Sequence, residues 1–423
     1  MVGRGTSTSI RAYDGEIEAL TVADSAGIGV RVIVDGRLGF ASAGSLEADI
    51  IDEVLAEARD NVGFAEPDDH VALAQPDGVE PTSQDLWDNG VSTLAIDDKV
   101  AMAIELERLV RAGDPRITGV RSAAYGDRSS TSLLATTTGI RASSRSTAAS
   151  LGVLALAKDG DETQSGGGSD VARGPGRLDI EAAAADAVSR ATALLGAVQP
   201  PSRKITLVLE PRLAVALLGI IGGMLSGERV HKGRTPFADR VGDRIAIAEF
   251  TMIDDPNNRE SFGARVYDGE GLAVRRNELV VDGVLQGFLH HTPSASRAGT
   301  ASTASAVRGI RSTPGVGWHA LSVAPGDLTM EALVASVDDG LLVHSMTGLH
   351  SGVNAVSGDF SAGADGIVIR NGALAEPIRE VTIASTLPKL LQDIVGIGSD
   401  VEHRPGGITC PALSIANVSM SGS

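Results

Sequence analysis

Polar and apolar residues alternate along the first part of the chain, as they do in a β-strand with one buried face. The alternation runs over residues 7–42, and it is interrupted at Asp14-Gly15 and at Asp35-Gly36. Asp-Gly between β-branched runs is among the strongest signals of a two-residue hairpin turn. The opening of the chain is therefore predicted to be a β-meander.

Several segments are predicted to be helical. In the first of them, Ile50, Val54 and Ala58 recur at the spacing that places side chains on one helix face. The second ends at Gly113 with Pro115 beyond it, a common stop signal for a helix. The predicted helices cover residues 46–61, 96–112, 180–195, 211–225, 329–337 and 387–394.

The remaining segments are predicted to be strands and loops. Alternation returns over residues 116–157, which predicts further strands beside the helices of the first half. The segment 63–90, rich in Pro, Asp and Gly, is predicted to be an extended surface loop, and the acidic, glycine-rich segment 159–170 is predicted to be a flexible loop. Other strands are predicted over residues 205–209, 274–289, 316–323, 341–346, 365–383 and 411–420.

A domain boundary is predicted at the proline-containing segment 199–202. It divides the chain into an N-terminal α+β domain over residues 1–200 and a C-terminal, mainly antiparallel β domain over residues 201–423. A chain of 423 residues is long enough for two such domains, each with a core of its own. The predicted fold class is α+β.

Composition and charge narrow the classes of function. Apolar residues make up 43% of the chain, and the formal net charge is −18. Because phosphate contacts need clustered Lys and Arg, and no basic stripe is visible, a nucleic-acid partner is not expected. A membrane is not expected as a partner either, since no apolar run reaches 18 residues and residues 1–16 lack the apolar core of a signal peptide. The single cysteine, Cys410, fits a reducing compartment, so a cytoplasmic location is expected.

The most specific motif lies in residues 347–372, TGLHSGVNAVSGDFSAGADGIVIRNG. Its glycines permit positive φ angles and the close approach of another chain. Within it, the order N-x-x-S-G-D-F-S is followed by G-x-x-I-x-N-G. This order resembles a motif of the TldD/PmbA (TldE) family, which contains a zinc peptidase subunit and a partner subunit without metal.

The resemblance to the TldD/PmbA family extends over most of the chain. Residues 268–271, DGEG, resemble the D-x-E-G turn of the family. Residues 289–308 resemble its stretch of small and polar residues, although the S-T-G-N of the family is kept only loosely at 302–305. The family usually has a helix before its first strand, whereas this chain begins nearly in that strand. Further segments resemble the family in the same order, at residues 227–237, 378–398 and 411–415.

The resemblance also implies which kind of subunit this is. The catalytic subunit of the family carries H-E-x-x-x-H on a helix, where two His hold zinc and the Glu serves as base. Counting back from Lys232-Gly233 places this motif at residues 218–223, which here read LGIIGG. The resemblance therefore implies a PmbA (TldE)-type subunit with no metal ligand, cofactor or catalytic residue of its own, and zinc in a TldD-like partner.

Other residues capable of metal or acid–base chemistry are predicted to have ordinary structural roles. The adjacent His290 and His291 are predicted at a strand end with side chains on opposite faces, so that they would not share an ion. Cys410 is predicted to be a small buried hydrophobe. Asp254 and Asp255 are predicted to begin a loop. An ordinary polar or partly buried role is also predicted for His70, His231, His319, His344, His350 and His403.

Residues 347–363 are predicted to lie near a substrate groove or at a subunit contact, because an exposed strand beside glycines can pair with an extended peptide. Asp359 and Ser361 are not expected to be catalytic, since no basic partner stands at a readable spacing. The residues singled out for the groove or the contact are Gly348, His350, Asn354, Gly358, Asp359, Phe360 and Ser361.

With the resemblance, these residues lead us to expect a metal-free subunit that shapes the substrate chamber of a heteromeric TldD/TldE-type peptidase. The resemblance implies peptide or unfolded-protein substrates, including precursor peptides that are matured by cleavage. The family label modulator of DNA gyrase implies no contact with DNA. Two alternatives stay open: a hydrolase that acts alone through an unidentified serine or aspartate centre, and a peptide-binding homodimer without activity.

Overall fold

The structure is a computed structural model of the chain, and it describes residues 1–402 and 406–422. Its helices are α1 (Ala48–Asp60), α2 (Gly90–Thr93), α3 (Ile96–Gly113), α4 (Ile180–Ala193), α5 (Pro211–Met224), α6 (Gly227–His231), α7 (Thr292–Ala298), α8 (Met330–Ala335), α9 (Leu349–Gly352) and α10 (Leu387–Gln392). Its strands are β1 (Val2–Tyr13), β2 (Glu16–Val34), β3 (Arg37–Ala43), β4 (Ile117–Ala135), β5 (Arg141–Asp159), β6 (Glu162–Ala172), β7 (Arg203–Leu209), β8 (Met252–Asp254), β9 (Asn277–Val281), β10 (Val284–Leu285), β11 (Ala306–Val307), β12 (Gly315–Val316), β13 (Leu321–Val323), β14 (Asp339–Thr347), β15 (Asp359–Arg370), β16 (Ala373–Thr386), β17 (Ile394–Ile397), β18 (Ile408–Thr409) and β19 (Leu413–Ser421). This mixture confirms the α+β fold class.

The strands of the N-terminal half form one antiparallel sheet in the order β3-β2-β1-β4-β5-β6. Its first two hairpins close at the predicted Asp-Gly turns. Asp14 and Asp35 have φ angles of 55° and 49°, and the glycine after each is also left-handed. Two consecutive positive φ angles are what a type I′ hairpin turn requires. The predicted β-meander is confirmed.

The segment 159–170, predicted to be a flexible loop, lies mostly in strand β6, which pairs with β5 along its length. Gly166 and Gly168 lie directly against helix α4, where a Cβ atom on either glycine would collide with the helix backbone. The prediction was wrong because the glycines were interpreted as a source of flexibility. In this sheet they allow a helix to approach the strand closely.

Helices α3 and α4 pack side by side on one face of the sheet. Many of their buried side chains are small, Ala103 and Ala187 among them, and these contact the hydrophobic core formed with Tyr125 and Leu151 of the central strands. Helix α1 packs on β2 and β3 through a separate cluster that includes Val54. Small side chains let helices and sheet come close together, as expected of a chain in which aromatic residues make up only 3%. The helices α1, α3 and α4 lie close to their predicted bounds.

The segment between α1 and α2 is irregular, as predicted, but it does not lie only on the surface. Ala74 and Leu86 are buried. The side-chain amide nitrogen of Gln84 donates hydrogen bonds to the carbonyl oxygens of Pro256 and Arg265, at 2.9 and 2.8 Å. This segment therefore connects the two halves of the chain.

The C-terminal half is built around a second sheet, in the order β16-β15-β14-β7-β19-β17. Because β16 also pairs with β19, the strands β7, β14, β15, β16 and β19 close into a ring. Strand β14 runs parallel to β7, and the other pairings of this sheet are antiparallel. The hairpin between β15 and β16 turns at Asn371-Gly372, as the Asn-Gly pair predicts.

Helix α5 and a smaller sheet, β10-β9-β8-β13-β18, pack against this ring and share its core. The predicted helices at 211–225, 329–337 and 387–394 are found as α5, α8 and α10. Residues 199–202 lie between α4 and β7, and a domain boundary at that point stays a prediction. Within the described part of the chain, no helix combines the length and the apolar character needed to cross a membrane.

Candidate functional site

Helix α5 contains residues 218–223, where the family resemblance places the H-E-x-x-x-H motif of the catalytic subunit. The helix begins at Pro211, a residue favoured at the first helical position because its missing N–H would be unpaired there in any case. Ile221 points into the core of the C-terminal half. Gly219, Gly222 and Gly223 are three and four residues apart, so they form a stripe without side chains on one face of the helix.

Apolar side chains cover this glycine stripe. A Cβ atom on Gly222 would lie 2.5 Å from Leu321 Cδ2 and 3.4 Å from the ring of Trp318. A Cβ atom on Gly219 would lie 3.0 Å from Ile408 Cδ1. The space beside Gly219 and Gly222 is therefore filled by hydrocarbon and an indole ring, whereas a Cβ atom on Gly223 would lie 3.6 Å from the ring of Trp318, an ordinary contact.

Within residues 1–402 and 406–422, no three side chains of His, Cys, Asp or Glu come together in a group that could hold an ion. His403 lies outside the described residues. Cys410 is fully buried, as predicted, and burial raises the pKa of its thiol.

His290 and His291 lie side by side at the entry to α7. Both side chains are buried, and both Nδ1 atoms contact the hydroxyl of Ser294, at 3.2 and 2.9 Å. The His290 ring also packs on Gly227 at the start of α6, where a Cβ atom would collide with the ring. The prediction that the two rings point to opposite faces was wrong, because His291 caps α7 and the chain turns there instead of continuing as a strand. Burial lowers the pKa of both imidazoles, which favours their neutral form.

Two buried carboxylates lie in the DGEG turn next to these histidines. One oxygen of Glu270 accepts hydrogen bonds from the backbone N–H and the hydroxyl of Thr292, at 2.8 and 2.7 Å. Its other oxygen lies 3.8 Å from Nη1 of Arg31 in β2. Asp268 accepts hydrogen bonds from three backbone N–H groups, and burial, followed by the charge of Glu270, raises its pKa to about 6. The turn thus connects α7 to the N-terminal sheet.

Asp254 ends strand β8 inside the protein. Its Oδ1 accepts hydrogen bonds from the backbone N–H groups of His319 and Ala320, at 2.9 and 2.6 Å. Burial raises its pKa to about 6 in spite of these bonds. The prediction that it begins a loop was wrong, because Asp254 is the last residue of β8, pairs with Leu321 of β13 and is buried. Only Asp255 makes the predicted turn, accepting a hydrogen bond from the backbone N–H of Asn257.

A groove of about 550 Å³ lies between the end of the N-terminal sheet and the loops of the C-terminal half. We call it the arginine groove, because it is lined by Arg128, Arg145, Arg173, Arg265 and Arg308. Among the ion pairs of the described residues, none involves any of these guanidinium groups. The groove is therefore a concentration of positive charge in an acidic chain.

Contacts with aromatic rings and backbone hold two of these guanidinium groups in place. Arg145 lies over the ring of Trp87, with 5.4 Å between the guanidinium carbon and the ring centroid. Arg173 lies in the same way over Phe262, at 5.1 Å, and donates a hydrogen bond to the carbonyl oxygen of Ser261 at 2.7 Å. Stacking uses the face of the guanidinium, so the N–H groups at its edge remain able to donate.

Hydroxyl groups from β4 and β5 form another side of the arginine groove. These strands pair with Thr131 opposite Arg145 and Ser132 opposite Ser144. The hydroxyls of Ser132 and Ser144 are hydrogen-bonded to each other at 2.7 Å. Neutral donors thus stand beside the arginines, an arrangement suited to an anionic ligand.

The residues predicted for a substrate groove or subunit contact lie together at α9 and the start of β15. The side chains of His350, Asn354, Asp359 and Ser361 are exposed, whereas Phe360 is buried in the core of the C-terminal half. None of the predicted residues lines the arginine groove. Their part in binding stays a prediction.

Tight turns shape this loop. Gly348 and Gly358 have φ angles of 75° and 86°, which favour glycine. The side-chain oxygen of Asn354 accepts hydrogen bonds from the backbone N–H groups of Val356 and Ser357, at 2.9 and 3.3 Å. The loop therefore has a defined shape set by its own residues.

The arginine groove was not predicted from the sequence. Its arginines come from separate segments between residues 128 and 308, and they meet only when the two halves of the chain fold together. The available signal was local: single arginines within the Ser- and Thr-rich strand segments 128–132 and 143–147. Nothing in that pattern indicates that the arginines converge.

Three models of one protein family match the chain in succession. They are the PmbA/TldA metallopeptidase domain 1 over residues 1–62, the central domain over residues 90–195 and the C-terminal domain over residues 202–422. The metalloprotease PmbA of Escherichia coli O157:H7 is 25% identical over 420 residues, which cover 98% of this chain and 91% of that protein. A metalloprotease of Methanothermobacter thermautotrophicus is 27% identical over 409 residues, 94% of this chain and 87% of that protein.

Solved structures show the same fold. TldE from Thermococcus kodakarensis superposes with a TM-score of 0.91 at 24% identity, over 100% of this chain and 96% of that chain. A candidate modulator of DNA gyrase from Bacteroides thetaiotaomicron superposes with a TM-score of 0.90 at 25% identity, over 100% of this chain and 94% of that chain.

Proposed function

The chain belongs to the PmbA/TldD metallopeptidase family, and from that premise we propose that it is the metal-free subunit of a heteromeric peptidase of this family. In this proposal the chain shapes the substrate chamber. A TldD-like partner with an H-E-x-x-x-H helix supplies the zinc, the metal-activated water and the general base. The substrates are peptides or unfolded proteins, including precursor peptides that are matured by cleavage.

One observation carries the proposal. Residues 218–223 of α5 are aliphatic or glycine, and Trp318, Leu321 and Ile408 fill the space beside them. A histidine at position 222 would have to displace the buried side chain of Leu321 before it could reach an ion. The helix contributes to the core of the C-terminal half, and its residues 213–224 have no side-chain nitrogen or oxygen that could bind a metal.

The exposed loop 347–361 is the part of the chain that we assign to the substrate chamber or the subunit contact. It combines exposed polar side chains with a turn whose backbone is fixed by Asn354. We place the assembly in the cytoplasm, because the single cysteine of the chain is a free, buried thiol that needs no oxidising compartment.

The proposal is tested by purifying the chain alone and together with an H-E-x-x-x-H member of the family. Zinc content and peptide cleavage are measured for each preparation. We expect neither bound zinc nor cleavage from the chain alone, and zinc-dependent cleavage from the mixture. A partner whose motif glutamate is replaced by glutamine is the control, because it should bind the chain and remain inactive.

The other outcomes identify the alternatives. One equivalent of zinc and cleavage by the chain alone would overturn the proposal. Cleavage by the chain alone without metal would indicate a hydrolase with a centre of its own. Failure to associate with the partner, together with self-association and peptide binding, would indicate a non-enzymatic homodimer.

A further inference from the structure

The five side chains of the arginine groove come from both halves of the chain. Arg128 and Arg145 lie on β4 and β5, and Arg173 follows β6. Arg265 and Arg308 belong to loops of the C-terminal half. The chain has 36 Lys and Arg and 54 Asp and Glu, so five arginines in one groove, none of them in a close ion pair among the described residues, are not what average composition predicts.

Burial disfavours the charged form of three of these arginines, Arg173, Arg265 and Arg308, and lowers the pKa of each. Burial and the nearby charge of Arg31 lower the pKa of Arg308 to about 10, although the charge of Glu270 acts in the opposite direction. Burial and the charge of Arg128 also lower the pKa of Arg173. Nε and Nη2 of Arg308 are buried and have no hydrogen-bond partner among the described residues. A buried cation without a hydrogen-bond acceptor destabilises a fold, and a bound anion would remove that penalty.

The carboxylates of Asp254 and Asp268 act on one of the arginines, Arg265, where their charge raises a pKa that burial lowers. Asp268 is buried, and its oxygens accept hydrogen bonds from the backbone N–H groups of Glu270, Leu272 and Ala306. It is the only acidic residue among the described residues of the lining. The groove therefore offers guanidinium and hydroxyl donors that no carboxylate of the lining occupies.

We propose that the arginine groove binds acidic peptide segments, whose carboxylates pair with its guanidinium groups. Guanidinium and carboxylate form charge-assisted, often bidentate hydrogen bonds, which fix both position and orientation. A groove of about 550 Å³ accommodates a short segment of peptide. The net charge of −18 opposes the approach of a long polyanion such as a nucleic acid, while a short acidic segment meets less repulsion.

This inference rests on the proposed function in one respect, the choice of a peptide as the anion. It assigns a substrate class: peptides with Asp or Glu near the bond to be cleaved. Such a segment would be held between the two halves of this chain, while the partner cleaves it elsewhere along its length. The metal centre of the partner takes no part in this binding.

Calorimetric titration of the isolated full-length chain tests the inference without a partner or a metal. The probes are a short peptide rich in Asp and Glu, the same peptide with Asn and Gln in their place, and both peptides with an amidated C-terminus. We expect the acidic peptide to bind about tenfold or more tightly than the neutral one, and its affinity to fall as salt is added. The amidated peptides distinguish side-chain carboxylates from the terminal carboxylate.

Variants test the arginines themselves. The double substitution Arg145→Gln and Arg173→Gln should weaken binding of the acidic peptide about tenfold or more, and Arg128→Gln is a second, exposed variant. Arg141→Gln is the matched control, because Arg141 lies on the same strand as Arg145 and does not line the groove. Thermal unfolding of each variant shows whether it folds.

Several results would overturn the inference: equal affinity for the acidic and neutral peptides, an equal loss of affinity with Arg141→Gln, or tighter binding of a short RNA or of inorganic phosphate than of the acidic peptide. The test is independent of the partner. If the chain binds acidic peptides and the partner experiment fails, only the proposed function is lost. If cleavage by the mixture succeeds and this titration fails, only the groove assignment is lost.

Discussion

Gly168 of β6 lies against the carbonyl oxygen of Ala183 in α4, so closely that a Cβ atom on the glycine would overlap that oxygen. The neighbouring Gly167 faces the other way, and a Cβ atom there would lie 3.8 Å from the carbonyl oxygen of Val153. Two adjacent glycines of one strand thus have different roles. One sets the distance between helix and sheet, and the other has room for a methyl group at ordinary contact distances.

Gly168→Ala should therefore destabilise the protein, and Gly167→Ala should not. The added methyl group at position 168 would push α4 away from the sheet, and overpacking of this kind typically costs about 1–3 kcal/mol. Urea unfolding followed by circular dichroism measures the free energy of unfolding of both variants. Equal effects of the two substitutions would show that α4 does not need this close approach.

This contact marks the limit of what the sequence predicts about the N-terminal sheet. The Asp-Gly turns and the helical periodicity of α1 and α3 depend on neighbouring residues, so both were predicted correctly. Strand β6 depends on a helix that follows it in the chain. Three consecutive glycines have no alternation of polar and apolar side chains. Only the position of α4 therefore shows why residues 166–168 form a strand.

In the candidate site too, features set by neighbouring residues were predicted, and features set by distant residues were not. The absence of metal ligands from α5 is visible in six consecutive letters, and the family resemblance that identified it is confirmed. The packing of Trp318 over those residues and the meeting of His290 with His291 at Ser294 depend on long-range contacts. Sequence periodicity contains no information on such contacts, so the rotation of the two histidines was predicted wrongly.

The glycine stripe of α5 offers a matched pair of substitutions. At Gly222, a methyl group would meet Leu321 Cδ2 at 2.5 Å, whereas at Gly223 it would lie 3.6 Å from the nearest atom of Trp318, an ordinary contact. Glycine inside a helix is less favourable than alanine by about 1 kcal/mol. Gly223→Ala should therefore raise the free energy of unfolding by up to about 1 kcal/mol, while Gly222→Ala should lower it by about 1–3 kcal/mol.

Thermal and urea unfolding of these two variants provide the measurement. Stabilisation by both substitutions would mean that Leu321 moves aside easily and that the stripe has room for side chains. That result would weaken the argument that packing keeps α5 free of metal ligands. Zinc content measured on the same two variants should remain at the background level.

Asp254 should make the stability of the protein depend on pH. Burial raises its pKa from 3.8 to about 6. Between these two pH values the folded protein keeps a proton that the unfolded chain has lost, so the stabilisation is present at low pH and is lost as the pH rises through 6. Asp268 acts in the same direction, while the buried histidines, whose pKa values are lowered, act in the opposite one.

The substitution Asp254→Asn isolates this contribution. Asparagine keeps an oxygen that can accept from the backbone N–H groups of His319 and Ala320, and it cannot ionise. The stability of the variant relative to wild type should increase by about 3 kcal/mol between about pH 4 and pH 8. Urea unfolding at a series of pH values measures this difference in stability. The contributions of the other titrating groups are present in both proteins and largely cancel. A stability difference that does not change with pH would show that the pKa of Asp254 is not raised in the folded protein.

The last prediction concerns the loop assigned to the substrate chamber or subunit contact. Asn354→Ala removes the side-chain oxygen that fixes the backbone of Val356 and Ser357. Because the loop is exposed, the free energy of unfolding should change by only about 1 kcal/mol. The kcat/KM of the mixed assembly should fall about tenfold, as expected when about 1.4 kcal/mol of positioning energy is lost.

The control is Asn61→Ala, which removes one hydrogen bond to the carbonyl oxygen of Phe40 in the N-terminal half. If both variants retain the wild-type kcat/KM and the same affinity for the partner, the loop belongs neither to the chamber nor to the contact.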